Sequence, residues 1–138
     1  MTQSEIVYEW RGSFSNKEIH LLHAQAFETR VFDESEWDWV AQTSKYSLGW
    51  VVARHKGHFV GFVNVLWDGF IHAFIEDVMV HSGHRRLGIG VGLVRTARDH
   101  TQSAGCEFLH VGFDDDLRPF YIDACGFEPV QGGLIELT

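Results

Sequence analysis

The sequence predicts an α+β fold: a mixed central sheet, made of an antiparallel meander and one parallel β-α-β unit, flanked by helices. Two observations carry this. Apolar, β-rich runs at 48–55, 59–66 and 70–80 are separated by three-residue gaps that hold the turn pairs Lys56–Gly57 and Asp68–Gly69, the spacing of consecutive antiparallel strands. A glycine-rich turn at 85–90 then leads into Gly88–Ala104, where Val94, Ala97, Thr101 and Ala104 recur at helical spacing. Cys106–Val111, beyond that crossover helix, must run parallel to the strand before it. At 138 residues and 45% apolar content, one domain fills the chain.

Ile6–Trp10 reads as a short first strand. Ser15 and Glu18 form a capping box that opens a helix running to about Arg30, with Ile19, Leu22, Ala26 and Phe27 on one stripe. A second short helix starts at Ser35 and ends by Ser44–Lys45. Leu48–His55, Phe59–Leu66 and Phe70–Val80 are the meander, the third strand being long enough to hold a bulge. Gly105 ends the Gly88–Ala104 helix as a left-handed residue. Arg118–Ala124 is a short helix with Pro119 in its first turn and Gly126 just past its end. Phe127–Val130 and Leu134–Leu137 finish the chain as edge strands or a hairpin.

Charge and composition narrow the partners. Eleven basic residues stand against nineteen acidic ones, which disfavours nucleic acid and anionic lipid and suits an amine-bearing small molecule. The start M-T-Q-S-E-I has no basic segment or apolar core of a signal peptide, and no 18-residue apolar run occurs, so a cytoplasmic location is expected. Cys106 and Cys125 have neither metal nor disulfide spacing and read as small buried hydrophobes. The histidine pairs His55/His58 and His81/His84 lack a third ligand in pattern, so no metal site is expected.

The segment R-R-L-G-I-G at 85–90 joins a strand to a helix start. Orphan N–H groups at such a start point at an anion, and glycines at 88, 90 and 92 keep side chains away. A P-loop would need lysine after the glycines, and the last lysine of the chain is Lys56. A dinucleotide fingerprint would need glycine where Leu93 stands. What remains is a turn for some other phosphate-bearing cofactor.

Arg85, Gly88 and Gly90 match [Q/R]-x-x-G-x-[G/A]; I-E-D-V-M-V at 75–80 precedes them and P-F-Y-I-D-A-C-G-F at 119–127 follows. In this order, over residues 48–130, the chain resembles the GNAT superfamily of N-acetyltransferases. The resemblance implies acetyl-CoA as cofactor. The backbone of Val78, Met79 and Val80 would pair with its pantetheine arm. Amides from Arg86 through Leu87, Gly88, Ile89 and Gly90 to Val91 would hold the pyrophosphate, with Arg85 or Arg86 contacting phosphate.

Amine acetylation needs a base, a donor to the carbonyl and an acid for the leaving thiolate. A carboxylate pair inside an apolar strand is costly filling, so Glu76 and Asp77 are the candidates. I-E-D-V-M-V resembles the form of this strand in polyamine and related small-amine acetyltransferases, which implies Glu76 as base, directly or through water, and Asp77 as a residue orienting the amine. Tyr121 is the implied acid. The family places this tyrosine four residues before the glycine of G-F, whereas Tyr121 is five before Gly126, a difference of about 100° on an α-helix. Asp115 and Arg118 also replace the usual asparagine and alanine upstream. Phe27, Trp37 and His72, within a wider aromatic set of Phe32, Trp39, Trp67, Phe70 and Phe74, are candidates for holding the acceptor. The expected activity is direct transfer to a small-molecule primary amine, with a cationic acceptor compatible. The alternatives are a protein or peptide acceptor and a non-catalytic acyl-CoA sensor. The resemblance also implies a homodimer, with Leu134–Leu137 at the interface.

Overall fold

The computed structural model describes residues 5–138. Five strands, β1 (Ile6–Trp10), β2 (Ser47–His55), β3 (His58–Trp67), β4 (His72–Val80) and β5 (Phe108–Val111), lie in sequence order across one sheet. The first four are antiparallel and β5 runs parallel to β4. This is the mixed α+β arrangement expected from the turn pairs and the crossover helix.

Strand alternation splits the core in two. Val51, Ala53, Val63, Val65, Ala73 and Ile75 turn to helix α3 (Ile89–Ser103), where Ile89, Leu93 and Ala97 close over them. Trp50, Val52, Phe62 and Met79 face the other way, onto Ile19 and Leu22 of α1 (Asn16–Phe27) and Trp39 of α2 (Trp39–Tyr46). Gly61 lets α3 approach the sheet: a Cβ there would stand 2.9 Å from Ile89. Arg54 ties α1 to β2 through Glu18 at 2.9 Å and the Ser13 carbonyl at 3.1 Å.

Several boundaries differ from expectation for local reasons. The capping box at Ser15 is present, but α1 stops at Phe27, because Glu28 takes a left-handed conformation (φ 56°) that ends the helix. The second helix starts at Trp39, not Ser35. Asp33 holds residues 33–36 in a turn by accepting the Ser35 and Glu36 N–H groups, and Asp38 is the true cap, accepting from Ala41 at 3.0 Å. Asp68 similarly captures the N–H groups of Phe70 and His72, so β4 begins at His72. Gly88 precedes α3 as its cap, and β5 starts two residues later than Cys106. The segments Phe127–Val130 and Leu134–Leu137 form neither edge strands nor a hairpin. Pro129 lacks a ladder donor, Gly132 and Gly133 have no side chains to pack, and Val130, Leu134, Ile135 and Leu137 are at least 82% exposed. Among the described residues no helix is long and apolar enough to cross a membrane.

Candidate active site

Strands β4 and β5 pair only from His72/Phe108 to Ile75/Val111. Past that point β5 has ended, and the edge of β4 at Val78–Val80 is hydrogen-bonded only toward β3. A groove of about 490 Å³ opens there, between the end of β4, the start of α3 and the segment Leu117–Tyr121. Val78, Met79 and Val80 form one wall, Gly88 to Val91 another, and Ala26 and Phe27 of α1 a third.

The loop before α3 is built to present donors. Gly88 (φ 76°) caps the helix with no side chain bonded to it, and the first intrahelical bond runs from Gly92 N–H to the Gly88 carbonyl. The Ile89, Gly90 and Val91 N–H groups therefore have no partner within the helix. A Cβ on Gly90 would come within 3.0 Å of the Phe120 ring and narrow the groove. Arg86, left-handed at φ 70°, lines the groove. Arg85 also borders it, but its guanidinium donates to the Ala26 carbonyl at 3.0 Å, tying the loop to α1. Ile89 is buried and Leu87 packs on the α3-side core, so both side chains serve packing. Clustered amides for two phosphates beside a free strand edge for an amide-bearing arm fit coenzyme A.

A bulge in β4 sets the acids. Asn64 pairs with Glu76 and Phe62 with Met79, so Val63 alone opposes both Asp77 and Val78, and Asp77 sits at φ 59°. Strict alternation would have turned Asp77 away from Glu76. Instead Asp77 reaches the side chain of Asn64, directly across from Glu76, and both carboxylates look to the α2 side of the sheet. Asn64 is buried and held by Gln42 of α2 and Ser47. Partial burial pushes the Glu76 pKa above the ordinary carboxylate value, with the Asp77 charge adding to it. Burial also raises Asp77, opposed by its bond to Asn64.

Tyr121 reaches the groove by an irregular route. Pro119–Ala124 is a π-type turn, closed by Cys125 N–H to the Phe120 carbonyl at 2.9 Å, five residues back. Such a turn takes one residue more than an α-turn. The residue five before Gly126 thus comes round to about the direction that the fourth would have on an α-helix. Tyr121 is buried, stacked on Phe113 at 5.1 Å, and its pKa is pushed up to about 12 by burial, Cys125 and the charge of Glu76. Burial raises both cysteine thiols as well, which leaves neither as a ready thiolate.

The other expected acceptor residues lie apart from the groove. Trp37 stacks on Trp39 at 4.9 Å in a cluster with His23 and Phe32. His72 stands at the opposite end of β4 from Val78, against Phe108 and His110. The acids before α2 are engaged locally: Glu36 with Arg30 at 2.6 Å, Asp38 as the α2 cap. Sequence reading missed Asn64, whose polar side chain in V-N-V-L was the available signal, and Phe120, which lies between Pro119 and Tyr121. Among the described residues no three His, Cys, Asp or Glu side chains converge as metal ligands.

Residues 9–127 match the acetyltransferase (GNAT) family. No curated protein matches the chain. Among solved structures, the chain is similar to a GNAT-family acetyltransferase from Streptococcus pneumoniae (23% identity, TM-score 0.72, 96% of this chain and 98% of that one). It is also similar to an aminoglycoside acetyltransferase from an uncultured soil sample (18%, TM-score 0.73, 98% of both chains). A third similar structure is glucosamine-6-phosphate N-acetyltransferase from Arabidopsis thaliana (16%, TM-score 0.73, 95% and 98%).

Proposed function

The chain belongs to the acetyltransferase (GNAT) family, and from that premise we propose that it transfers an acetyl group directly from acetyl-CoA to the primary amine of a small molecule. One observation carries this reading: the β4 bulge that sets Glu76 and Asp77 ends at Val78, which lines the same groove as Tyr121 and the amide turn at Gly88–Val91. Acetyl-CoA supplies the activated acyl group. Arg86 and the amides of Ile89, Gly90 and Val91 hold its phosphates, and the free edge of β4 aligns its arm. Glu76 takes the acceptor's proton, directly or through water, as its nitrogen bonds to the acyl carbon. Asp77, steadied by Asn64, orients the amine. Tyr121 donates a hydrogen bond from its phenol to the departing thiolate, which takes its proton from solvent.

A tyrosine displaced from the family position would favour a non-catalytic sensor, and the π-type turn weakens that argument. The similar structures include enzymes named for aminoglycoside and amino-sugar acceptors, which supports a small-molecule amine over a protein acceptor. A homodimer belongs to the same reading, supported by the exposed apolar tail at Val130–Leu137. The test is acetyl-CoA-dependent thiol release with polyamines, amino acids, aminoglycosides, arylalkylamines and short peptides, against a no-acceptor control. Release with one small-amine class is expected; release with peptides alone would overturn the acceptor assignment.

A further inference from the structure

The proposed reaction requires a seat for the acceptor's body, and the sheet face that carries Glu76 offers one. Along β4, Ala73 and Ile75 are buried under α3, which turns His72, Phe74 and Glu76 to the opposite face. On β5, Phe108 and His110 are the register partners of His72 and Phe74. Four rings stand together there. His72 stacks on Phe108 (5.2 Å, 18°), Phe74 stacks on His110 (4.9 Å, 19°), and His72 and His110 share a 2.8 Å hydrogen bond. Helices α1 and α2 pack on Trp50, Val52, Phe62 and Met79 and leave this array bare, with Phe74 39% and Phe108 52% exposed. A sheet face left to water ordinarily carries polar side chains. Here an aromatic row leads directly to the carboxylate assigned as base.

We infer that this array is the acceptor platform and selects a primary amine joined by a short link to a flat aromatic body; the inference rests on the acetyl-transfer reading. Strand rise puts Phe74 about 7 Å and His72 about 13 Å from Glu76. With the amine at Glu76, a ring one short alkyl link away lies over Phe74 and His110, and a fused second ring extends toward His72 and Phe108. The four rings turn faces to one another, so rims form much of the open surface. A rim carries the positive end of the ring quadrupole and meets the π face of a flat ligand edge-to-face, whereas it gives a cation little. A polyamine would also need a counter-charge along the row. Between Glu76 and the Asp68 turn, the β4 side chains on this face are the rings of Phe74 and His72.

The experiment measures kcat/KM for tryptamine, propylamine and spermidine with the native chain, Phe74→Ala and Phe108→Ala. The tryptamine-to-propylamine ratio does not depend on the folded fraction, so a poorly folding variant still reports. The native ratio is expected to exceed about ten, with spermidine no better than propylamine, and each variant is expected to cut that ratio about tenfold. A native ratio near one, a preference for spermidine, or a ratio indifferent to both variants overturns the platform while acetyl transfer stands. Absence of transfer to every amine, in protein that binds acetyl-CoA, overturns both.

Discussion

Replacing Tyr121 with Phe removes one hydroxyl and keeps the ring among Phe113, Phe120 and Phe127. With its pKa at about 12, the phenol stays protonated throughout any practical assay range. It is nevertheless a weak acid toward a thiolate whose conjugate acid lies near 8.5: complete transfer is uphill by about 3.5 units, or about 5 kcal/mol. Tyr121 therefore acts mainly by a hydrogen bond to developing negative charge, worth about 1.5–3 kcal/mol. That corresponds to a loss of about 10- to 150-fold in kcat. Steady-state kinetics should show this loss with acetyl-CoA affinity unchanged by calorimetry, and the melting temperature should stay within about 2 °C of the native value. The alkaline side of the pH profile should keep its shape, because the donor would be lost only as pH approached the raised phenol value. A kcat within twofold of the native enzyme would refute the reasoning and assign stabilisation of the leaving thiolate to water or another group.

The remaining predictions concern the base, the phosphate turn and two structural polar groups. Glu76 works as a base only when ionised, so kcat/KM should rise with pH through a pKa above the ordinary carboxylate value; Glu76→Gln should lower kcat about 10²- to 10⁴-fold and abolish that acid limb in pH–rate profiles. Gly90→Ala places a methyl group 3.0 Å from Phe120 and should weaken acetyl-CoA binding about tenfold by calorimetry. Asn64→Ala strips Ser47 and Gln42 of a buried partner and should cost about 1–3 kcal/mol in urea unfolding. The Arg54 hydrogen bond lowers the Glu18 pKa, so this pair stabilises the fold above the ordinary carboxylate pKa and the gain is lost as pH falls through the depressed value. Glu18→Gln should flatten the acid side of the melting-temperature profile.

The legible parts of this protein were those written in local chemistry. Turn pairs, the Ser15 capping box and the period of α3 depend on neighbours in sequence, and the strands, helices and sheet order followed from them. The glycine turn was legible for the same reason, since Gly88 and Gly90 answer to backbone sterics. The bulge could be suspected from the length of the third strand. Its location could not, because only the pairing of Asn64 with Glu76 and Phe62 with Met79 assigns the extra residue to Asp77–Val78. Tyr121 looked misplaced because an α-helical period was assumed where the chain makes a π-type turn. His72 and Phe74 were visible as aromatic-rich sequence, but their partners Phe108 and His110 come from a strand that only the parallel register aligns with them. The tail at 127–138 carries apolar residues, but Pro129, Gly132 and Gly133 interrupt them and no strand pairing forms.

The central claim is direct transfer from acetyl-CoA to an amine, and isotope-labelled acetyl-CoA tests it most directly. The protein would be incubated with labelled cofactor and amine, and both acceptor and intact chain followed by mass spectrometry. The account predicts that label appears in the amide of a small amine while the chain's mass stays unchanged at every time point. Label accumulating on the protein before the amine, or binding of the cofactor with no labelled amide from any acceptor class, would contradict it.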